Sequence, residues 1–445
     1  MNTSNIKSFS VYGLFGTDDV HIPFDENIKI LIGENGLGKT QVLNIFYYTL
    51  TRNFFRLGEF SFDKLILEFP NGKPIEIPKL NVDELIKQIY ENPIIMDEFD
   101  NQIRFQYHNL MIGYEILRNR FIQSKIDLVY TSDSSKATSE IKKRSGFNIQ
   151  IGTKKVHIFN SFFSQCEKEI ESRIEGSDIM YFPTYRRVEE DLHNLGYNDD
   201  ELLNQENTLI QFGMDDVENR FKQIESTIDK LLKEGFSKIT SEILSQLVKG
   251  SSQTDNSFLN KIDENDIEII LARVGKELSE NDKNEIRNSV KTQSFENPSL
   301  TYILQKLVEI YEKQKQLDDS VKLFRDICNK YLINKEVFYD ESAIKIFIKS
   351  KRNSSEISLS KLSSGEKQII SMFSKIYLSE SHKRFIVLFD EPELSLSIFW
   401  QRTLLPDIVN SGKCNFLLAV THSPFIFENE LDRYAIGLNE YFHPV

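Results

Sequence analysis

Eight residues, GENGLGKT from Gly33 to Thr40, constrain the fold of this chain more than any other stretch. They satisfy the pattern G-x-x-x-x-G-K-[ST], and both flanks are the ones that pattern needs. An apolar run, IKILI, precedes it and reads as a buried strand; KTQVLNIFYYTL follows and reads as a helix over 39–50. Glycines let successive backbone N–H groups converge on phosphate oxygens without Cβ obstruction. The helix then points its partial positive end at the same anion. The pattern therefore predicts a nucleoside triphosphate held by Gly33, Glu34, Asn35, Gly36, Gly38, Lys39 and Thr40. Lys39 would reach the β- and γ-phosphates, and the Thr40 hydroxyl would serve Mg²⁺.

Three later segments bear on the same chemistry. RFIVLFDEPE (384–393) is a buried strand ending in Asp390 and Glu391. Either these are a magnesium ligand and the general base that polarises an attacking water, or the strand ends in a solvated acidic turn. SKLSSGEKQII (360–370) sets Ser363, Ser364, Gly365 and Glu366 at a helix start. That arrangement is a second phosphate-binding helix N-terminus, or an ordinary Ser-x-x-Glu capping box. FLLAVTHSPFI (416–426) ends another buried strand at Thr421 and His422. If it shares the strand-end edge where α/β proteins bind ligands, His422 would contact the γ-phosphate and orient the water.

Apolar periodicity divides the rest. Residues 5–13 and 27–33 read as strands, and KLILEFPNGKPIEIP (64–78) as two strands around an Asn-Gly turn. IMYFPTYR (179–186) reads as a strand ending near Pro183. Over 208–250 and 300–333 apolar residues recur at three- and four-residue steps, predicting two helical arms. The polar region between them, 251–298, reads as a loop-rich tip, and strand character returns after 335. The expected organisation is an N-terminal part of an α/β domain over 1–200, a helical insertion over 201–334, and a C-terminal part of the α/β domain over 335–445.

Composition narrows the function classes. A formal charge of −13 argues against a surface coated for nucleic acid, leaving only local basic groups such as Arg186 and Arg187. No apolar run approaches the roughly 20 residues needed to span a bilayer, and no secretory signal opens the chain. Cys166, Cys328 and Cys414 form no CxxC pair, which fits a reduced, cytoplasmic setting without zinc.

The four nucleotide-type elements, in this order, resemble the ATP-binding-cassette ATPases of the SMC/RecF and overcoming-lysogenisation-like branch. The resemblance covers about 5–50 and 335–430. It implies an α/β fold: an ABC-type P-loop NTPase head with short antiparallel helical arms inserted. It also implies ATP and Mg²⁺ as cofactors, with Lys39, Glu391 and His422 catalytic and Thr40 and Asp390 on the metal. Two protomers would close head to tail on the nucleotide, with Ser363, Ser364, Gly365 and Glu366 acting in trans. The signature here is LSSGE, with Ser364 at a glycine position, and Ser397 stands where such relatives commonly carry histidine. The glutamine that couples Mg²⁺ to the helical insertion is not assigned; Gln165 is a guess outside the site.

YFPTYRRVE (181–189) and IQFGMDDVE (210–218) are similar to segments of the PtuA ATPases of Septu and related retron antiphage systems. This implies a homo-oligomer of ATP-sandwich dimers that controls a separately encoded HNH nuclease, PtuB-like, and meets DNA through that complex. The chain runs only to Val445 after His422, too short for an appended Toprim nuclease, and its seven histidines form no HNH-like cluster. The alternatives are a RecF-like repair or chromosome ATPase binding DNA, a transporter cassette, and a non-hydrolysing scaffold.

Overall fold

The computed structural model describes residues 4–34, 36–90, 129–130, 147–151, 154–158, 160–174, 176–183, 214–249, 264–274, 278–292 and 298–445. The chain forms two compact units, Met1–Gln211 with Lys383–Val445, and Phe212–His382. The second unit thus takes in residues 335–382, which the sequence reading grouped with the C-terminal part of the head.

In the first unit the order is β1 (Ser8–Leu14), β2 (Asp18–Pro23), β3 (Ile28–Ile32), α1 (Lys39–Leu50), β4 (Lys64–Glu68), β5 (Ile75–Pro78) and α2 (Lys79–Tyr90). A small sheet of β6 (Val129–Tyr130), β7 (Phe147–Ile151) and β8 (Lys154–Ile158) precedes α3 (Ser161–Arg173) and β9 (Ser177–Phe182). In the second unit come α4 (Met214–Lys249), α5 (Glu264–Val274), α6 (Glu280–Thr292) and α7 (Pro298–Tyr331). A meander of β10 (Lys335–Asp340), β11 (Lys345–Ser350) and β12 (Glu356–Ile357) leads to α8 (Ser364–Tyr377). The chain returns to the first unit with β13 (Arg384–Asp390), α9 (Ile398–Val409), β14 (Cys414–Thr421), β15 (Ala435–Gly437) and β16 (Phe442–Pro444).

Two five-stranded sheets form the core of the first unit. One is parallel, in the order β15-β3-β14-β13-β9, and its central strands are continuous apolar runs, as a sheet covered on both faces requires. The other is antiparallel, in the order β16-β2-β1-β4-β5. Helix α1 lies between them: its Phe46 is fully buried, with ring centroids 4.9 Å from Phe9 of β1 and 6.3 Å from Phe416 of β14. That packing anchors the helix whose first residues are Lys39 and Thr40. The predicted strands at 64–78 form, though the turn between them spans Phe69–Pro74, with Gly72 at φ 102°.

In the second unit α4 and α7 run antiparallel, since Phe221 meets Phe324 at 5.6 Å while Gly235 abuts Ile310 further along. A Cβ on Gly235 would sit 2.5 Å from the Ile310 side chain, so the close approach requires glycine there. The expectation of a loop-rich tip over 251–298 is corrected: α5 and α6 occupy much of it. Ile267, Ile270 and Leu271, spaced i, i+3, i+4, bury with Ile286 and Val290 against Ile239, Leu304, Leu307 and Ile310. Charges between those positions mask a short amphipathic stripe, and tertiary burial makes the helices.

Candidate nucleotide-binding site

Strand register builds the site. Asp390 pairs with Val420 across β13 and β14, and Thr421 pairs with Ile32 across β14 and β3. The next residues along each strand, Gly33, Glu391 and His422, therefore leave the parallel sheet side by side at its carboxyl edge. This is where open α/β sheets bind ligands.

The turn from Gly33 to Thr40 needs its glycines. Gly36 and Gly38 take φ 90° and 77°, in the left-handed region. A Cβ on Gly38 would also lie 2.8 Å from the ring of Phe15, which packs against the turn from the β1–β2 connection. Asn35 lies outside the described residues.

Lys39 is buried, and its Nζ donates to the carbonyl oxygens of Gly33 at 2.6 Å and Glu34 at 2.9 Å. It also stands 2.5 Å from Nε2 of His422. Burial pushes the Lys39 ammonium below its usual pKa, and the carboxylates of Glu391, Asp390 and Glu393 oppose that shift. Nε2 of His422 lies 3.2 Å from Oε1 of Glu391 as well. A single ring nitrogen thus faces a donor and an acceptor, and one proton decides which bond it makes.

Thr40 Oγ1 donates to Asp390 Oδ2 at 2.9 Å. Two hard oxygens brought together this way suit Mg²⁺, which takes one or two protein oxygens and completes its octahedron with water and phosphate. No cluster of three or more metal-ligating side chains occurs among the described residues, and this mode of binding needs none.

Glu391 carries φ 51°, strained for a non-glycine residue, while its N–H donates to Val420 O at 2.8 Å. On the far side of β13, Phe182 stacks on Phe389 at 4.6 Å, and Tyr181 donates to Asn44 of α1 at 2.8 Å. These contacts tie β9 and α1 to the strand that carries the carboxylates.

Ser363, Ser364, Gly365 and Glu366 stand at the start of α8 in the second unit. Ser363 is the N-cap of a full capping box: its side chain accepts from Glu366 N–H, and the Glu366 carboxylate accepts from Ser363 N–H at 2.8 Å. Lys335 Nζ pairs with Glu366 at 2.6 Å. Burial pushes the Glu366 carboxyl up, but the bonds from Lys335 and Ser363 outweigh it and hold the pKa below the usual range. The cap geometry accounts for the serine and the glutamate, and it occupies the N–H groups of Ser363 and Glu366.

Ser397 is the N-cap of α9, accepting from Trp400 N–H. Gln165 lies exposed on α3 with its amide on Glu169, so nothing brings it to the site. Arg186 and Arg187 lie outside the described residues. Sequence reasoning missed Glu393, which accepts from the backbone N–H groups of His422 and Ser423. The signal available was a third acidic residue in DEPE.

The chain is similar to the retron Vc95 probable ATPase of Vibrio cholerae serotype O1 biovar El Tor, 30% identical over 142 residues. That match spans 29% of this chain and 26% of the relative, so about a quarter of the relative's length is covered. Among solved structures, the Smc head domain with an extended coiled coil bound to the C-terminal domain of ScpA, from Pyrococcus furiosus, aligns at 11% identity and TM-score 0.38. The alignment covers 99% of this chain and 95% of that one. The SmcHead bound to the C-winged helix domain of ScpA aligns at 11% identity and TM-score 0.33, over 95% and 90%. No helix among the described residues is long and apolar enough to cross a membrane. Residues 5–427 match the AAA ATPase domain family, and with a phosphate loop, paired carboxylates and a histidine on one sheet edge, the chain belongs to that family.

Proposed function

We propose that the chain is the ATP-binding and ATP-hydrolysing regulatory subunit of an antiphage defence complex. It works as dimers closed on ATP and controls a nuclease carried by a separate polypeptide of HNH type. The observation that carries the ATPase reading is the convergence of Lys39, the Thr40–Asp390 pair, Glu391 and His422 past the ends of three neighbouring parallel strands. The retron relative supports the defence setting.

In this reading Lys39 exchanges its carbonyl and imidazole partners for the β- and γ-phosphates. Thr40 and Asp390 hold Mg²⁺, whose charge, when bound, would offset the charge developing on the phosphoryl oxygens. Glu391 takes a proton from the attacking water, and His422 orients that water. Ser363 and Gly365 of a second copy complete the cradle at the start of α8. Support for a contacting surface beside the base comes from Ile398 and Phe399, which open α9 exposed to solvent, Phe399 at 82%. A large apolar side chain displayed next to a catalytic turn fits a face that closes against protein.

Sedimentation of the Glu391→Gln chain with and without ATP tests the reading. ATP is expected to convert monomers to dimers, and Ser363→Arg in the same background to prevent the conversion while monomers still bind nucleotide. A nucleotide bound wholly within one subunit, with no change of mass on Ser363→Arg, would overturn the dimer. Co-purification with the products of adjacent reading frames, followed by intact-mass measurement, tests the nuclease partner.

A further inference from the structure

We infer that Glu393 is a positioning residue that fixes the backbone of His422 and so sets where the imidazole stands between Lys39 and Glu391. The inference rests on the reading of His422 and Glu391 as parts of the hydrolytic site. Glu393 is only 9% exposed, and a carboxylate out of water is costly unless its oxygens are bonded. One oxygen is well served: Oε1 accepts from His422 N–H at 2.8 Å and from Ser423 N–H at 3.1 Å. The other, Oε2, is buried with no hydrogen-bond partner among the described residues.

Its place in the chain explains what the bond does. Glu393 lies two residues beyond Glu391, so the turn that carries the base also grips the strand end that carries the imidazole. Gln401 of α9 reinforces the grip. Its Nε2 donates to Leu396 O at 3.0 Å, and its Oε1 accepts from Ser423 Oγ at 2.6 Å. With the backbone of 422 and 423 held at two amides, the ring nitrogen stays at the junction 2.5 Å from Lys39 Nζ and 3.2 Å from Glu391 Oε1. A shift of the turn after β13 would carry the imidazole with it.

Two conservative variants of the full chain separate this role from a general charge effect. Glu393→Gln keeps an oxygen at the same reach and loses the charge. Glu393→Asp keeps the charge and shortens the reach by one methylene. If Glu393 positions His422, the Gln variant retains slow amide hydrogen exchange over residues 416–426 and hydrolyses ATP within about threefold of wild type. The Asp variant exchanges faster there and loses about ten- to a hundredfold in kcat, the scale of a bond to a charged acceptor. Its KM for ATP stays near wild type, because phosphate binding at Lys39 is untouched. The reverse order, Asp near wild type and Gln impaired, would overturn the inference in favour of electrostatics on Lys39. Equal behaviour of both variants and wild type would overturn it outright. Should the wild-type chain bind ATP without hydrolysing it, the proposed function fails on that point, and the exchange data still decide whether Glu393 holds the His422 turn.

Discussion

Two buried polar clusters, one in each unit, use similar residues in opposite ways. In the first unit Lys39, at the start of α1, meets Asp390, Glu391, Glu393 and His422 at and just past the ends of parallel strands. In the second, Arg273 of α5 meets Gln314 and Asp318 of α7 and Tyr339 of β10. The guanidinium donates to Gln314 Oε1 at 2.6 Å, Asp318 Oδ1 at 2.7 Å and the Glu341 carbonyl at 2.8 Å, and Tyr339 also donates to Asp318. Burial works against the Arg273 charge, yet the bond to Asp318, its charge and the nearby Tyr339 and Tyr311 together outweigh it and the pKa rises. Around Lys39 the balance falls the other way. The backbone differs as well: Gly36, Gly38 and Glu391 take positive φ, while none of Arg273, Gln314, Asp318 and Tyr339 does. A cluster on regular elements, with its cation matched by protein acceptors, reads as a joint. A cluster bordered by strained turns, with its cation disfavoured, reads as groups kept ready for a ligand.

That contrast can be broken or sharpened experimentally. The largest effect is expected from Glu391→Gln, which removes the proposed base and should lower kcat by about 10²–10⁴-fold while ATP stays bound; single-turnover phosphate release measures it, and rapid turnover would place the base elsewhere. Next, Arg273→Ala leaves Asp318 charged and buried, and should cost about 3–5 kcal/mol in urea unfolding. The paired change Arg273→Met with Asp318→Leu should recover most of that loss, because no charge is then stranded. Lys39→Ala should weaken ATP binding on the order of a hundredfold by titration calorimetry, the scale expected when a charge-assisted contact is lost. Its unfolding midpoint should fall by much less than that of Arg273→Ala; a loss of stability as large would make Lys39 a structural residue like Arg273.

The smallest effects concern the start of α8. Ser363→Ala should cost about 1 kcal/mol, the usual value of an N-cap. Glu366 has a lowered folded pKa, so its contribution is fully present above the ordinary glutamate value of 4.5 and is lost as pH falls through the folded value. Acid titration of the unfolding midpoint should show this loss, and Glu366→Gln should remove it.

The sequence by itself determined the local elements of the site. The phosphate loop, a helix spanning Lys39–Leu50, and the strands ending at Asp390 and Thr421 follow from glycine spacing and apolar runs, because each depends on neighbours within a few residues. Strands β2 and β16, helices α5 and α6, and the grouping of β10–β12 and α8 with the helical unit were not legible. Each is decided by what it packs against rather than by its own propensity. Tertiary structure alone decided that Gly33, Glu391 and His422 emerge side by side, since strand order and register are set by pairings between separate segments, Asp390 with Val420 and Thr421 with Ile32. It also decided the role of Glu393: an acidic residue after Asp390 and Glu391 looks solvated in a string of letters, and only burial against the His422 turn turns its oxygen into an acceptor for two backbone amides.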